Sequence, residues 1–210
     1  FMNQISDLKE KISDRSAELI SENKVKKYAI AIPFIQTEKG LEILFERRSS
    51  FLKQSNDICF PGGRVENNEL LQAAAIRETS EELLIDKEQV ELLGEGDIYI
   101  GLGHAIVASF FVLLHNYENT YSLDEVESIH RIPLDELLKC NPDEYEGQLK
   151  MELADNFPYD KINGGENYQW VSSSRRFLFY SINDIVIWGL TAQLLKSALK
   201  IIEKSGFVSN

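Results

Sequence analysis

Residues 63–85 read GRVENNELLQAAAIRETSEELLI. From about Asn68 to Leu84 the stretch is rich in Leu, Ala and Glu and holds no Pro or Gly, which predicts a helix. At 100° per residue, Glu78, Glu81 and Glu82 project within about 100° of one another. Ile76, Thr79 and Leu83 lie on the opposite side, where they can pack into a core. Three crowded carboxylates repel, so their placement is unfavourable without a cation. Oxygen-rich clusters of this kind suit Mg²⁺ or Mn²⁺, which keep several waters and take phosphate oxygens as further ligands. Arg77, four residues before Glu81, can orient that carboxylate. A solvated acidic helix face is the ordinary alternative in so acidic a chain. The Phe60-Pro61-Gly62-Gly63 turn ahead of the helix and the spacing to Glu69 weigh against it.

Outward from this helix the chain reads as strands. Lys27–Ile35 and Leu41–Arg47, joined by Glu38-Lys39-Gly40, predict a hairpin. Residues 48–63 are irregular, and the Pro and two Gly that close them predict a sharp turn. Further strands are expected at 90–100, 104–114, 126–132 and 176–183, with a short helix over 133–138. The polar stretch 139–170 reads as loop, and 184–204 as one long amphipathic helix with Ile185, Trp188, Leu195 and Leu199 on one side. That helix can serve the core or a homodimer contact. Residues 3–23 carry Ile5, Leu8, Ile12, Leu19 and Ile20 at roughly helical spacing, predicting an N-terminal helix. The order, strands interrupted by one strong helix and then a terminal helix, predicts an α+β class. No repeat or linker divides the chain, so one domain over residues 2–210 with a helical extension at about 3–23 is expected.

Composition narrows the partners. Acidic residues outnumber basic ones 34 to 22, for a net charge of −12, so a long nucleic acid is not an expected partner. Small phosphorylated molecules are compatible, because a divalent cation can bridge clustered carboxylates to a phosphate. Cys59 and Cys140 are the two cysteines and form no CxxC pattern, which argues against a disulfide framework or zinc knuckle and favours a reducing cytoplasm. No run approaches the ~20 apolar residues of a membrane span, and no secretion signal is expected from the residues that begin the chain.

The stretch 63–85 resembles the Nudix box, Gx5Ex7REUxEExGU, where U is a bulky aliphatic residue. Gly63, Glu69, Arg77, Glu78, Glu81, Glu82 and Ile85 fall in register, while Thr79 takes the first U position and Leu84 replaces the last glycine. Around the box the chain is similar to the coenzyme A pyrophosphatases of that family, whose upstream motif is close to LLTxRSx3Rx3Gx3FPGG. Here Ile43–Ser49 and Asp57–Gly63 are a variant one residue shorter, with Asn56 at the glycine position and Lys53 at the second arginine. Asp124–Ile129, Ile132-Pro133-Leu134 and Ile187–Ala192 extend the similarity downstream.

The resemblance implies a Nudix-type α/β/α sandwich with a mixed central β-sheet, the box helix and a long C-terminal helix. It implies a hydrolase in which Glu78, Glu81 and Glu82 hold Mg²⁺ or Mn²⁺, and Glu81 and Arg77 join the catalytic machinery. The cation would neutralise a diphosphate and lower the pKa of a water that attacks phosphorus in line. Glu127 is the candidate base outside the box. Arg47, Arg48, Lys53, Gly62 and Gly63 are candidate substrate contacts, since guanidinium forks suit phosphate oxygens. For coenzyme A or acyl-coenzyme A the implied products are 3′,5′-ADP and (acyl-)4′-phosphopantetheine. ADP-ribose, a dinucleoside polyphosphate or a nucleoside triphosphate are alternative substrates, and a nucleotide-binding module without turnover is an alternative role. Tyr168, Trp170, Phe177, Phe179 and Tyr180 can form an adenine or pantetheine pocket or simply pack the core. His104, His115 and His130 are isolated and are assigned no catalytic role.

Overall fold

A continuous apolar run from Tyr28 to Ile35 gives Lys26–Thr37 (β1) two buried faces, and Gly40–Arg48 (β2) returns antiparallel beside it through the expected hairpin, with Thr37 opposite Gly40. The computed structural model describes residues 2–14, 25–50, 55–101, 105–170 and 172–207. Ahead of β1, Met2–Ile12 forms a helix (α1) that leaves Ile5, Leu8 and Ile12 exposed, and residues 15–23 of the helix expected there lie outside the described residues. The stretch after β2, expected to be irregular, contains two short strands, Ile58–Cys59 (β3) and Gly62–Arg64 (β4). Leu71–Leu83 is the box helix (α2). Val90–Gly101 (β5), Ala105–Leu114 (β6) and Val126–Pro133 (β7) follow, then a short helix at Leu134–Lys139 (α3).

Among the described residues these strands build a seven-stranded sheet in the order β3-β2-β1-β6-β5, with β4 paired to β1 and β7 to β2. β1 and β6 run parallel over residues 26–34 and 105–113, while the other pairs are antiparallel, so the sheet is mixed. Its two faces bury different residues, as period-2 alternation requires. On one face Ala29, Ala31, Leu44, Ala108 and Phe110 pack with Ala74, Ala75 and Leu83 of α2. The alanines on both elements let the helix lie close to the sheet. The other face, with Ile30, Ile32, Phe34, Ile43 and Phe45, packs against the C-terminal elements. The expected α+β sandwich with helices on both faces of a mixed sheet is the fold observed.

Two expectations need correcting. The stretch 139–170 contains a strand, Asp143–Leu149 (β8), which pairs with Ser173–Ile182 (β9) in a small antiparallel sheet. The long terminal helix begins late: Ile185–Trp188 is a strand (β10) on the other side of β9, and only Gly189–Lys204 is helical (α4). Ile-Val-Ile-Trp is a β-branched and aromatic run suited to a strand, and Gly189, at φ +64°, supplies the left-handed angle that turns the chain into the helix. Leu194, Leu195, Ala198 and Leu199 of α4 are buried, so the face considered for a dimer contact serves the core.

Leu84, at the position of the usual box glycine, itself takes the left-handed angle that ends the helix. Leu84 adopts φ 53°, ψ 49°, and Ile85 N–H donates to Ser80 O at 3.1 Å. A side chain in the left-handed region costs about 1–2 kcal/mol, of which glycine's greater unfolded-state freedom would return part. Leu84→Gly is therefore expected to stabilise the fold by about 0.5–1 kcal/mol, read as a higher urea midpoint at constant m-value.

Candidate active site

Glu82 lies on the sheet-facing side of α2 and is 6% exposed. Its Oε2 accepts a hydrogen bond from Gly62 N–H at 2.8 Å. Burial pushes its carboxyl up to about 8, helped by the negative charges of Glu125 and Glu78 and opposed by the Gly62 bond. Gly62, in turn, is held against β1: its φ is +147°, and it pairs with Ile30. The adjoining Gly63 approaches Glu78 so closely that a Cβ there would fall 2.3 Å from the Glu78 carboxyl carbon. The tight turn read from Phe60–Gly63 thus seats the backbone against two box carboxylates.

Arg77 organises the rest. Its Nε and Nη2 grip Glu69 at 2.9 and 3.1 Å, and its Nη1 reaches Glu78 at 2.9 Å and Glu81 at 3.2 Å. Nη2 also donates to Arg64 O at 3.2 Å, tying α2 to the end of β4. The guanidinium beside Glu69, with Glu66 N–H, holds that carboxyl down at about 2. Glu69 therefore stays charged and fixes Arg77, which positions Glu78 and Glu81. Burial raises Glu78 against the opposing pull of Arg77. Glu81 is the exposed member of the three. Thr79, at the first aliphatic position of the box, is fully buried and satisfies its hydroxyl on Ala75 O at 2.7 Å.

The remaining predicted residues divide. A cleft of about 640 Å³ is lined by Arg48, Asp57, Cys59, Gly62 and Gly63 and extends to Phe177, Arg175 and Trp188. Arg47 instead lines a second cleft of about 420 Å³ and donates to Asn56 O at 3.3 Å. Lys53 and His104 lie outside the described residues. The Gly62 amide is engaged by Glu82 rather than turned to the cleft. Glu127 is exposed, and it is the extra residue at a bulge where Arg47 pairs with Ser128 and Arg48 with Val126. Glu125, two residues earlier, is the acid from this segment whose charge acts on Glu46, Glu78 and Glu82. Its carbonyl accepts from Ser49 N–H at 2.9 Å, which fixes the segment beside β2.

Sequence reasoning missed Glu125, Arg175, Asp57 and the buried Glu46. Arg175 packs over the Phe177 ring at 5.1 Å, and Trp188 stacks on Phe179 while its Nε1–H donates to Asp57 at 3.0 Å. The aromatic cluster considered as one pocket is three groups. Tyr180 belongs to the core, Phe177 and Phe179 line the two clefts, and Tyr168 and Trp170 pack with Phe157 elsewhere. His115 bonds Glu91 on the surface at 2.6 Å, and His130 contacts Ser128 at 3.1 Å. Among the described residues, no three His, Cys, Asp or Glu side chains already stand in metal-shell geometry, and no helix is long and apolar enough to cross a membrane.

Comparison with known proteins bears on this arrangement. The model of the NUDIX domain matches residues 25–152. An uncharacterized Nudix hydrolase, NudL, from Citrobacter koseri is 27% identical over 177 residues, 82% of this chain and 81% of that protein. Nudix hydrolase 3 from Caenorhabditis elegans is 25% identical over 186 residues, 83% of this chain and 72% of that one. Among solved structures, a MutT/nudix family protein from Enterococcus faecalis superposes with a TM-score of 0.51 at 15% identity, covering 98% of this chain and 70% of that one. That likeness concerns the fold.

Proposed function

The chain belongs to the Nudix hydrolase family, pyrophosphohydrolases of phosphorus anhydrides, and from that premise we propose that it cleaves the diphosphate of coenzyme A or acyl-coenzyme A. The products would be 3′,5′-ADP and (acyl-)4′-phosphopantetheine. The observation that carries this reading is the larger cleft, which joins the Gly62–Gly63 turn to an arginine and aromatic side chains. A nucleotide with a diphosphate and a further phosphate calls for that sequence of groups: at one end the Gly62–Gly63 turn that Glu82 and Glu78 abut, then Arg48 and Arg175 for anionic oxygens, and Phe177 and Trp188 for a base. The motif similarities over residues 43–63 and 124–192 support the same substrate class.

The donor set suits a divalent cation. Glu82 is pushed to about 8 because a buried carboxylate faces other carboxylates, and a cation would offset that penalty. Glu78, Glu81 and Glu82 would hold Mg²⁺ or Mn²⁺, whose chemistry is charge neutralisation at the diphosphate and acidification of a water. Arg77 aligns Glu78 and Glu81 for that task, and the Gly62 amide aligns Glu82. Glu125, whose negative charge bears on Glu82 and Glu78, joins Glu127 as a candidate to accept the proton of the attacking water. The two free cysteines fit a reducing cytoplasm.

The test is a hydrolysis panel with Mg²⁺ or Mn²⁺: coenzyme A, acetyl-coenzyme A, ADP-ribose, NADH, diadenosine polyphosphates and nucleoside triphosphates. The expected result is 3′,5′-ADP released from coenzyme A at the highest kcat/KM. A higher value for another diphosphate would overturn the substrate while keeping the chemistry. Nucleotide binding without turnover of any of them would favour a sensor module.

A further inference from the structure

Glu46 is 2% exposed, and its Oε1 has no hydrogen-bond partner. Two residues on, the Nε of Arg48 is also enclosed and without a partner. Buried polar atoms carry their full desolvation penalty when unpaired, so two of them on neighbouring side chains mark a place where something is to be bound. Strand alternation locates that place. Leu44 packs in the core beneath α2, and Glu46 follows at the same parity, on the face that α2 covers. Across the sheet Glu46 pairs with Cys59, three residues before Gly62. The charge that acts most strongly on Glu46 is that of Glu82, followed by Arg48 and Glu125. On α2 the other carboxylates are engaged: Glu78 and Glu81 share Arg77, and Glu82 accepts from Gly62. Glu46 thus presents an acceptor oxygen without a bond, next to the carboxylate expected to bind a cation.

We infer that Glu46 is a further carboxylate of the divalent-cation centre, contributed by the sheet and facing Glu82 from beneath α2. This rests on the reading of the α2 glutamates as cation ligands. It adds a ligand from β2, outside the box, where Glu46 falls on the threonine position of the upstream motif. A buried water would satisfy Oε1 as well, but water does not require the negative charge, and that difference provides the test.

Mn²⁺ binding to the full chain would be followed by electron paramagnetic resonance of the free ion and by calorimetry. Glu46→Gln, Glu46→Asp and the exposed Glu88→Gln would be measured in parallel, with urea unfolding in EDTA for each. Glu46→Gln is expected to lose one Mn²⁺ or to weaken the tightest site at least tenfold, while unfolding no earlier than the wild-type chain. Glu46→Asp should recover part of the affinity, and Glu88→Gln should match wild type. If Glu46→Gln does not fold, Glu46→Asp decides: weakened binding is expected, and unchanged binding overturns the inference. Unchanged number and affinity in folded Glu46→Gln also overturns it, leaving the α2 reading intact. Absence of Mn²⁺ binding to the wild-type chain would overturn both.

Discussion

Glu82→Gln should lower kcat for diphosphate hydrolysis by about 10³-fold or more, equivalent to about 4 kcal/mol of transition-state stabilisation. The fold should survive, because the glutamine amide oxygen can still accept the Gly62 N–H that Glu82 accepts at 2.8 Å. What is lost is the charge. The pH dependence of stability offers an independent check in metal-free solution. The Glu82 carboxyl lies at about 8 when folded against 4.5 as its ordinary value, so between these limits the folded chain keeps a proton that the unfolded chain has released. Its contribution is therefore fully present below 4.5 and is lost as pH rises through about 8. Wild-type urea midpoints in EDTA should fall between pH 5 and pH 8.5 by more than those of Glu82→Gln. Adding Mg²⁺ should restore the wild type most at the alkaline end, where ions need not displace protons. Wild-type turnover by Glu82→Gln would remove Glu82 from the cation site.

The neighbouring glycines should separate folding from catalysis. A Cβ on Gly62 would lie 2.5 Å from Ala29 O and 2.6 Å from Ile30 Cα, at a φ of +147°. Those obstacles are backbone of the central strand and cannot step aside. Gly62→Ala should cost about 3 kcal/mol or more, a Tm decrease of about 6–12 °C in a chain of this size. On Gly63 the three atoms nearest the same methyl are all of the Glu78 carboxyl, at 2.3–2.4 Å. That is the end of a flexible side chain, so stability should change by less than about 1 kcal/mol. Glu78 must swing away from Arg77, however, and activity should fall about 10²-fold. Thermal scans and initial rates on both variants check the pair. A stable, active Gly62→Ala, or a Gly63→Ala that fails by unfolding, would contradict this account of the turn.

Much of this was legible in the sequence where periodicity and side-chain chemistry coincide. The box helix, the hairpin ahead of it and the strands at 105–114 and 126–133 announce themselves by apolar spacing that burial explains, whereas the strand at 90–101 buries only Val90 and is marked by its apolar and β-branched residues alone. β8 did not, since Asp-Glu-Tyr-Glu-Gly-Gln-Leu is exposed along nearly its whole length and owes its form to backbone pairing with β9. Ile185–Trp188 fits helical spacing as well as strand alternation, and only Gly189's left-handed angle separates the two. In the site, spacing along one helix located Glu78, Glu81 and Glu82, and Arg77's link to Glu81 with them. Glu46 and Arg175 come from β2 and β9 and Glu125 from the turn before β7, and no spacing relates them to the box helix. The bulge that leaves Glu127 out of the β2–β7 ladder is likewise not revealed by sequence spacing.

The parallel pairing of residues 26–34 with residues 105–113 has a kinetic consequence. It closes a loop of about 80 residues, and β2, β3, β4, α2 and β5 all lie inside that loop. Non-local closure of this kind slows folding and offers no early subdomain in which the glutamates could assemble around the turn. Recovery of hydrolysis after dilution from urea should therefore lag the return of helical circular dichroism and follow the burial of the central strands. Amide protons of α2 should exchange through the same global opening as those of β1.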